Sequence, residues 1–215
     1  MRFAYCLNGS KFPVENYVPV KKDKAIKRGQ TVSLVDGMAE ASSTAPFIGV
    51  AAADHSGKPD PLNPGSDAVY IPVIVSPDAV YECDPQYITF TSGGTATTAI
   101  VTGSALASTP TADLIGSRIV CVSKGALSAN KDGIGAIRAV TNYADATKTL
   151  SVEAGGVIGD GDVYAFIPKL NFGRMSMDAG CESPVISSTS SILTVVNFDM
   201  ARTKYYVVIK SHYFK

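Results

Sequence analysis

The feature that most constrains this chain is a missing one. Across 215 residues, no window of ten or more carries apolar residues at the 3.6-residue spacing of an amphipathic helix. Short runs rich in Val, Ile, Thr and Tyr recur instead, separated by clusters of Gly, Pro, Asn and Asp, the pattern of strands joined by tight turns. Such a chain buries apolar surface only by pairing strands, and an unpaired apolar edge aggregates. The fold class predicted is all-β: a compact β-barrel or β-tulip-like domain plus a second β-barrel or sandwich-like module, with very little helix.

The strands fall into three sections. In the first, Thr31–Val35 alternates with period two, Asp36-Gly37 is a hairpin turn and Met38–Ala41 returns. Phe47–Ala52 is an apolar strand, the Pro- and Gly-rich stretch Ser56–Ser66 a loop, and Ala68–Val75 a strand whose Pro72 argues for an edge or a bulge. Ala79–Cys83 closes the section. In the second, Gln86–Phe90 is a strand, and the Thr-, Ala- and Ser-rich stretch Ser92–Thr111 reads as a long exposed hairpin or loop. Gly116–Val122, Gly135–Val140, Thr149–Glu153 and Asp162–Ile167 follow as strands, with a turn over Asn142–Lys148. In the third, Ser191–Val196 and Tyr205–Ile209 are strands, the latter apolar enough to require a partner. The expected organisation is an N-terminal arm over 1–20, a β domain over 18–85 and 173–215, and an inserted or second β domain over 86–172.

Composition narrows the function. Charged residues make up 18% of the chain, below the usual ~25%, which suits a surface partly covered by neighbours. Net charge is zero, so nothing draws the whole molecule to nucleic acid or an acidic membrane. The one basic run, Lys21-Lys22-Asp23-Lys24 with Lys27-Arg28, reads as a solvated loop or a contact to an acidic partner. No secretory h-region follows Met1 and no apolar run reaches the ~18 residues of a membrane span, so a soluble product made in the cytoplasm is expected. Cys6, Cys83, Cys121 and Cys181 are far apart and read as reduced apolar fillers, and zinc lacks a ligand cluster.

Each catalytic candidate is weak on spacing. His55 and His212 are the only histidines. Asp54, His55 and Ser56 are consecutive, and neighbours on a turn do not point at one another as a triad requires. His212 reads as a surface or contact residue. Gly159-Asp160-Gly161-Asp162 has oxygen ligands but no further carboxylate at calcium-loop spacing, so it reads as a turn. Ser92-Gly93-Gly94-Thr95 lacks the Lys and following helix of a phosphate loop, and Gly65-Ser66-Asp67 lacks the Gly-x-Ser-x-Gly pattern of a nucleophile elbow. The expectation is a protein that is not an enzyme, with no cofactor, metal or catalytic residue. Among the aromatics, Tyr205, Tyr206, Tyr213 and Phe214 form a local cluster in which alternation sends one of Tyr205 and Tyr206 to the core and the other to an interface.

Lys27-Arg28-Gly29-Gln30 leading into Thr31–Val35, the Asp36-Gly37 turn, Met38–Ala41 and Phe47-Ile48-Gly49-Val50-Ala51 resembles a pattern in tailed-bacteriophage head decoration, or capsid cement, proteins. Residues 68–82 are similar to the strand pair that follows there. Leu114-Ile115-Gly116 and Gly161-Asp162 are similar to the opening and closing elements of β-barrel modules inserted in phage structural proteins. The resemblance covers about a quarter of the chain and transfers no catalytic residue. It implies a virion protein on the outer capsid surface, bridging subunits of the major capsid protein, its partner along with copies of itself in a homo-oligomer such as a trimer. The reading from a different class is a phage tail or baseplate protein, or a carbohydrate-binding β module.

Overall fold

The computed structural model describes residues 1–10, 12–21, 23–58, 69–91, 93–103, 105–106, 108–126, 128, 130–187, 191–210 and 212. Their regular structure is almost all strand, arranged as two closed barrels, a four-stranded sheet and a short ribbon. The all-β fold expected from the turn-punctuated pattern is the fold observed.

The smaller barrel contains β2 (Glu15–Val20), β3 (Thr31–Val35), β4 (Met38–Ala41), β5 (Gly49–Ala51) and β6 (Val69–Ile74), in the order β2-β4-β3-β5-β6. Asp36 and Gly37 both take positive φ, as the two-residue turn between twisted strands requires. A single parallel contact, Val20 opposite Ala39, closes the ring. Val20, Ile26, Val32, Ile71 and Val73 fill it. Pro72 is not on an edge strand. Its carbonyl accepts from the Ala52 N–H at 2.9 Å, so its missing N–H also lies on the β5 side, just beyond the end of β5.

The larger barrel contains β8 (Gln86–Thr91), β9 (Thr98–Val101), β10 (Arg118–Ser123), β11 (Ile137–Ala144), β12 (Thr149–Val152) and β13 (Val163–Ile167), in the order β10-β11-β12-β9-β8-β13. All its pairs are antiparallel. The stretch Ser92–Thr111, expected as an exposed hairpin or loop, carries β9 in a hairpin with β8, but Ala99, Val101 and Leu106 are buried rather than exposed. Small Ala and Thr side chains hide the period-two pattern there. The turn expected over Asn142–Lys148 is shorter, because β11 runs to Ala144 and a 3-10 turn over Asp145–Thr147 ends on Lys148 in the left-handed region.

Between the barrels lies the sheet β1-β7-β17-β16, built from β1 (Arg2–Cys6), β7 (Ala79–Cys83), β17 (Lys204–Ile209) and β16 (Leu193–Asp199). The apolar run at Tyr205–Ile209 is thus central, paired on both sides. The free arm expected over 1–20 is not seen: β1 pairs antiparallel with β7, and β2 is a barrel stave. Both segments alternate too weakly in hydrophobicity to announce this, yet pairing satisfies backbone groups that burial would otherwise leave unmatched. The ribbon of β14 (Met175–Met177) and β15 (Pro184–Ile186) precedes β16. One core cluster runs from the larger barrel through the sheet to Phe47, Val50 and Ile74 on the outside of the smaller barrel. A turn over 178–183 ties the modules, its Cys181 carbonyl accepting the Thr31 N–H at 2.9 Å.

Candidate protein-binding surface

Alternation along β2 and β6 sends Val20, Ile71 and Val73 into the smaller barrel and Tyr17, Pro19, Tyr70 and Pro72 outward. Register sets Tyr17 opposite Pro72 and Pro19 opposite Tyr70, so the four side chains form one outer patch. The next row, Glu15 opposite Ile74, leads to the seam where Ile74 and Val50 are buried against the rest of the core. Tyr17 is 73% exposed and Tyr70 57%.

The segment before β2 is exposed as well, with Phe12 beside the Glu15 and Ile74 row and Val14, by its parity with Asn16, on the other face. Phe12 is 82% exposed and Val14 61%. Phe12 lines two neighbouring clefts, one of about 740 Å³ shared with Glu15 and Ile74 and one of about 280 Å³ shared with Val14, Asn8 and Cys6. The segment is held at its end, where the Val14 N–H donates to Ser76 Oγ at 2.6 Å and the Val14 carbonyl accepts from Val75 at 2.9 Å. Tyr and Pro present large contact area with little rotamer freedom to lose, the composition of interface anchors rather than of solvated strands.

The sheet's outer face is polar by contrast. Glu82 accepts from Arg2 at 2.7 Å, from Arg202 at 2.9 and 3.2 Å and from the Tyr206 hydroxyl at 3.3 Å. Burial alone would raise its carboxyl pKa, but the hydrogen bonds and charges of Arg202 and Arg2 outweigh it and hold it below the usual range. Tyr205 is the core member of the aromatic pair and Tyr206 the partly exposed one. Tyr213 and Phe214 lie outside the described residues.

The residues weighed for chemistry are directed elsewhere. Asp54 Oδ1 accepts the Arg28 N–H at 2.7 Å, and His55 bridges Ile26 through its backbone. His212, expected as a surface or contact residue, is buried and bridged to Phe47 by backbone pairing. The basic run is paired rather than free: Lys21 and Lys24 meet Glu40, and Lys27 meets Glu182. Lys22, Ser92 and the Gly65-Ser66-Asp67 motif lie outside the described residues, and Gly94 packs against the Ile158 and Thr98 carbonyls. All four cysteines are free and buried, and burial pushes the Cys83 thiol up to about 12. Among the described residues no group of three or more His, Cys, Asp or Glu could hold a metal ion.

Gly159–Asp162 is more than a turn. Asp160 is exposed, but Asp162 is fully buried, and its carboxylate accepts the Gly125 N–H at 2.9 Å, the Gly159 N–H at 3.0 Å and the Asn130 amide at 3.0 Å. Burial would raise its pKa, yet these bonds, with one from Ser128, hold it below the ordinary carboxylate value. Asn130 also donates to the Tyr164 hydroxyl at 2.8 Å. Beside it, buried Arg138 points into the barrel, paired with Asp132 and donating to the Gly156 and Ala96 carbonyls. Every partner here is a loop backbone or a neighbouring side chain, so the constellation fastens the loops that cap this end of the barrel.

In comparison with known proteins, no family model, no curated protein and no solved structure matched the chain. Among the described residues no helix is long and apolar enough to cross a membrane.

Proposed function

We propose that this chain is a non-enzymatic structural protein of a tailed-phage virion, which binds the outer surface of the capsid and stabilises it by bridging major capsid protein subunits. The observation that carries the binding reading is the outward patch of Tyr17, Pro19, Tyr70 and Pro72 on the smaller barrel, with exposed Phe12 beside its Glu15 and Ile74 row. An exposed apolar face of this kind on a paired sheet is an interaction surface. The capsid as partner rests on the resemblance of residues 27–51 and 68–82, which supply most of this same barrel. A modest contact repeated over a lattice attaches firmly without a tight single site.

Pelleting the purified protein with shells of the phage that encodes it tests the reading. The wild type co-sediments, and Tyr17→Ser with Tyr70→Ser weakens binding by about tenfold or more per anchor, as loss of an aromatic hot spot does. Unchanged pelleting of the double variant, with far-UV circular dichroism intact, rejects the patch as the binding face.

A further inference from the structure

We infer that Asn8 is a site of spontaneous modification, closing on the Gly9 nitrogen with loss of ammonia and reopening as a carboxylate. Of the seven asparagines in the sequence, Asn8 is the only one followed by glycine. Both residues are exposed, in the turn between β1 and the Phe12 segment. Gly9 has φ +82°, nothing within 4 Å of where a Cβ would stand and no side chain of its own to shield its nitrogen. The Ser10 N–H already donates to Asn8 Oδ1 at 2.8 Å.

That hydrogen bond falls where charge develops. When the Gly9 nitrogen attacks Asn8 Cγ, the carbonyl electrons move onto Oδ1, and a donor already placed there stabilises the oxyanion. The Cγ–Nδ2 bond then breaks and the amide nitrogen leaves as ammonia, taking up the proton that the Gly9 nitrogen gives up. Water opens the resulting five-membered imide at either carbonyl. One opening gives an aspartyl side chain, and the other passes the main chain through the former side-chain carbon and lengthens it by one methylene. No oxidant or reductant is involved. The attacking N–H is bonded to the Cys6 carbonyl at 3.1 Å, so the turn must open first, and its exposure lets it do so without breaking core contacts. The product places a new negative charge at the mouth of the smaller cleft, which Asp78 also lines. The inference does not depend on what the surface binds.

The test is timed incubation of the full chain at neutral and mildly alkaline pH, followed by digestion and mass spectrometry, with isoaspartyl methyltransferase labelling of the products. The expected result is exchange of NH2 for OH first at residue 8, at a rate rising about tenfold per pH unit, as the deprotonated fraction of a weak acid does well below its pKa. Gly9→Ala, whose Cβ shields the attacking nitrogen, drops residue 8 to the rate of the other asparagines, and Asn8→Gln abolishes the early labelling. First exchange at another asparagine, or an unchanged residue-8 rate in Gly9→Ala, overturns the inference.

Discussion

Replacing Asp162 by alanine removes one acceptor from four donors at once: the Gly125 and Gly159 N–H groups, the Asn130 amide and the Ser128 hydroxyl. A hydrogen bond to a charged group contributes about 1.5–3 kcal/mol, and a buried donor left unmade costs about 1–3 kcal/mol. The four share one acceptor and are not additive. Asn130 keeps its bond to Tyr164, and the loop backbones regain some water. The expected cost is about 3–5 kcal/mol, the scale for removing one partner of a buried charged contact. That is a large part of the roughly 5–15 kcal/mol that holds a domain folded. Asp162→Asn is expected to cost nearly as much, because its amide nitrogen faces either the Gly125 N–H or both the Gly159 N–H and the Asn130 amide as donor against donor. Asp160→Ala, two residues away and exposed, is the control and is expected to stay within about 0.5 kcal/mol. Urea unfolding followed by circular dichroism measures the totals, and hydrogen exchange at the Gly125 and Gly159 amides locates the loss. If Asp162→Ala matches Asp160→Ala, the loop-fastening role is refuted.

The same carboxylate sets a pH dependence. Its native pKa lies below its unfolded value of about 3.9, so its stabilisation is complete above that value and is lost as pH falls through the native pKa; Asp162→Asn is expected to flatten this acid limb, measured as unfolding free energy against pH. Arg138→Ala is expected to destabilise by about 3–5 kcal/mol, leaving Asp132 and the Gly156 and Ala96 carbonyls unmatched, and urea midpoints check it. Gly155→Ala is expected to destabilise as well, since its Cβ would stand 2.5 Å from the Arg138 guanidinium. Gly49→Ala would put a Cβ 1.9 Å from the Ile74 carbonyl oxygen, so β5 is expected to lose its place beside β6, read as lost amide protection in the smaller barrel.

Strands whose side chains differ sharply in hydrophobicity were legible in the sequence. Thr31–Val35 and Ala79–Cys83 have the bounds their pattern predicts, and Asp36-Gly37 turns as its residue types require. In Thr149–Val152 alternation sets Leu150 and Val152 on one face, and that face is the buried one. Three kinds of information were not local. β9 was hidden because Ala99 and Thr98 differ little in hydrophobicity. The N-terminal strands were hidden because Arg2–Cys6 finds its partner 80 residues away, Arg2 facing Glu82. Nothing local marks Arg138 and Asp162 as buried charges, since what allows their burial is the backbone of loops distant in sequence. The candidate surface was half legible. Tyr70 stands in a segment read as a strand but Tyr17 does not, and only the β2–β6 register makes them and two prolines one face.

Cryo-EM of the phage particles that encode this chain tests the central claim most directly. The account predicts density for the two barrels on the outer capsid surface, repeating with the shell lattice, with Tyr17, Tyr70 and Phe12 turned toward the major capsid protein. Density confined to the tail, absence from the particle, or a shell-bound chain with that patch facing solvent would contradict it.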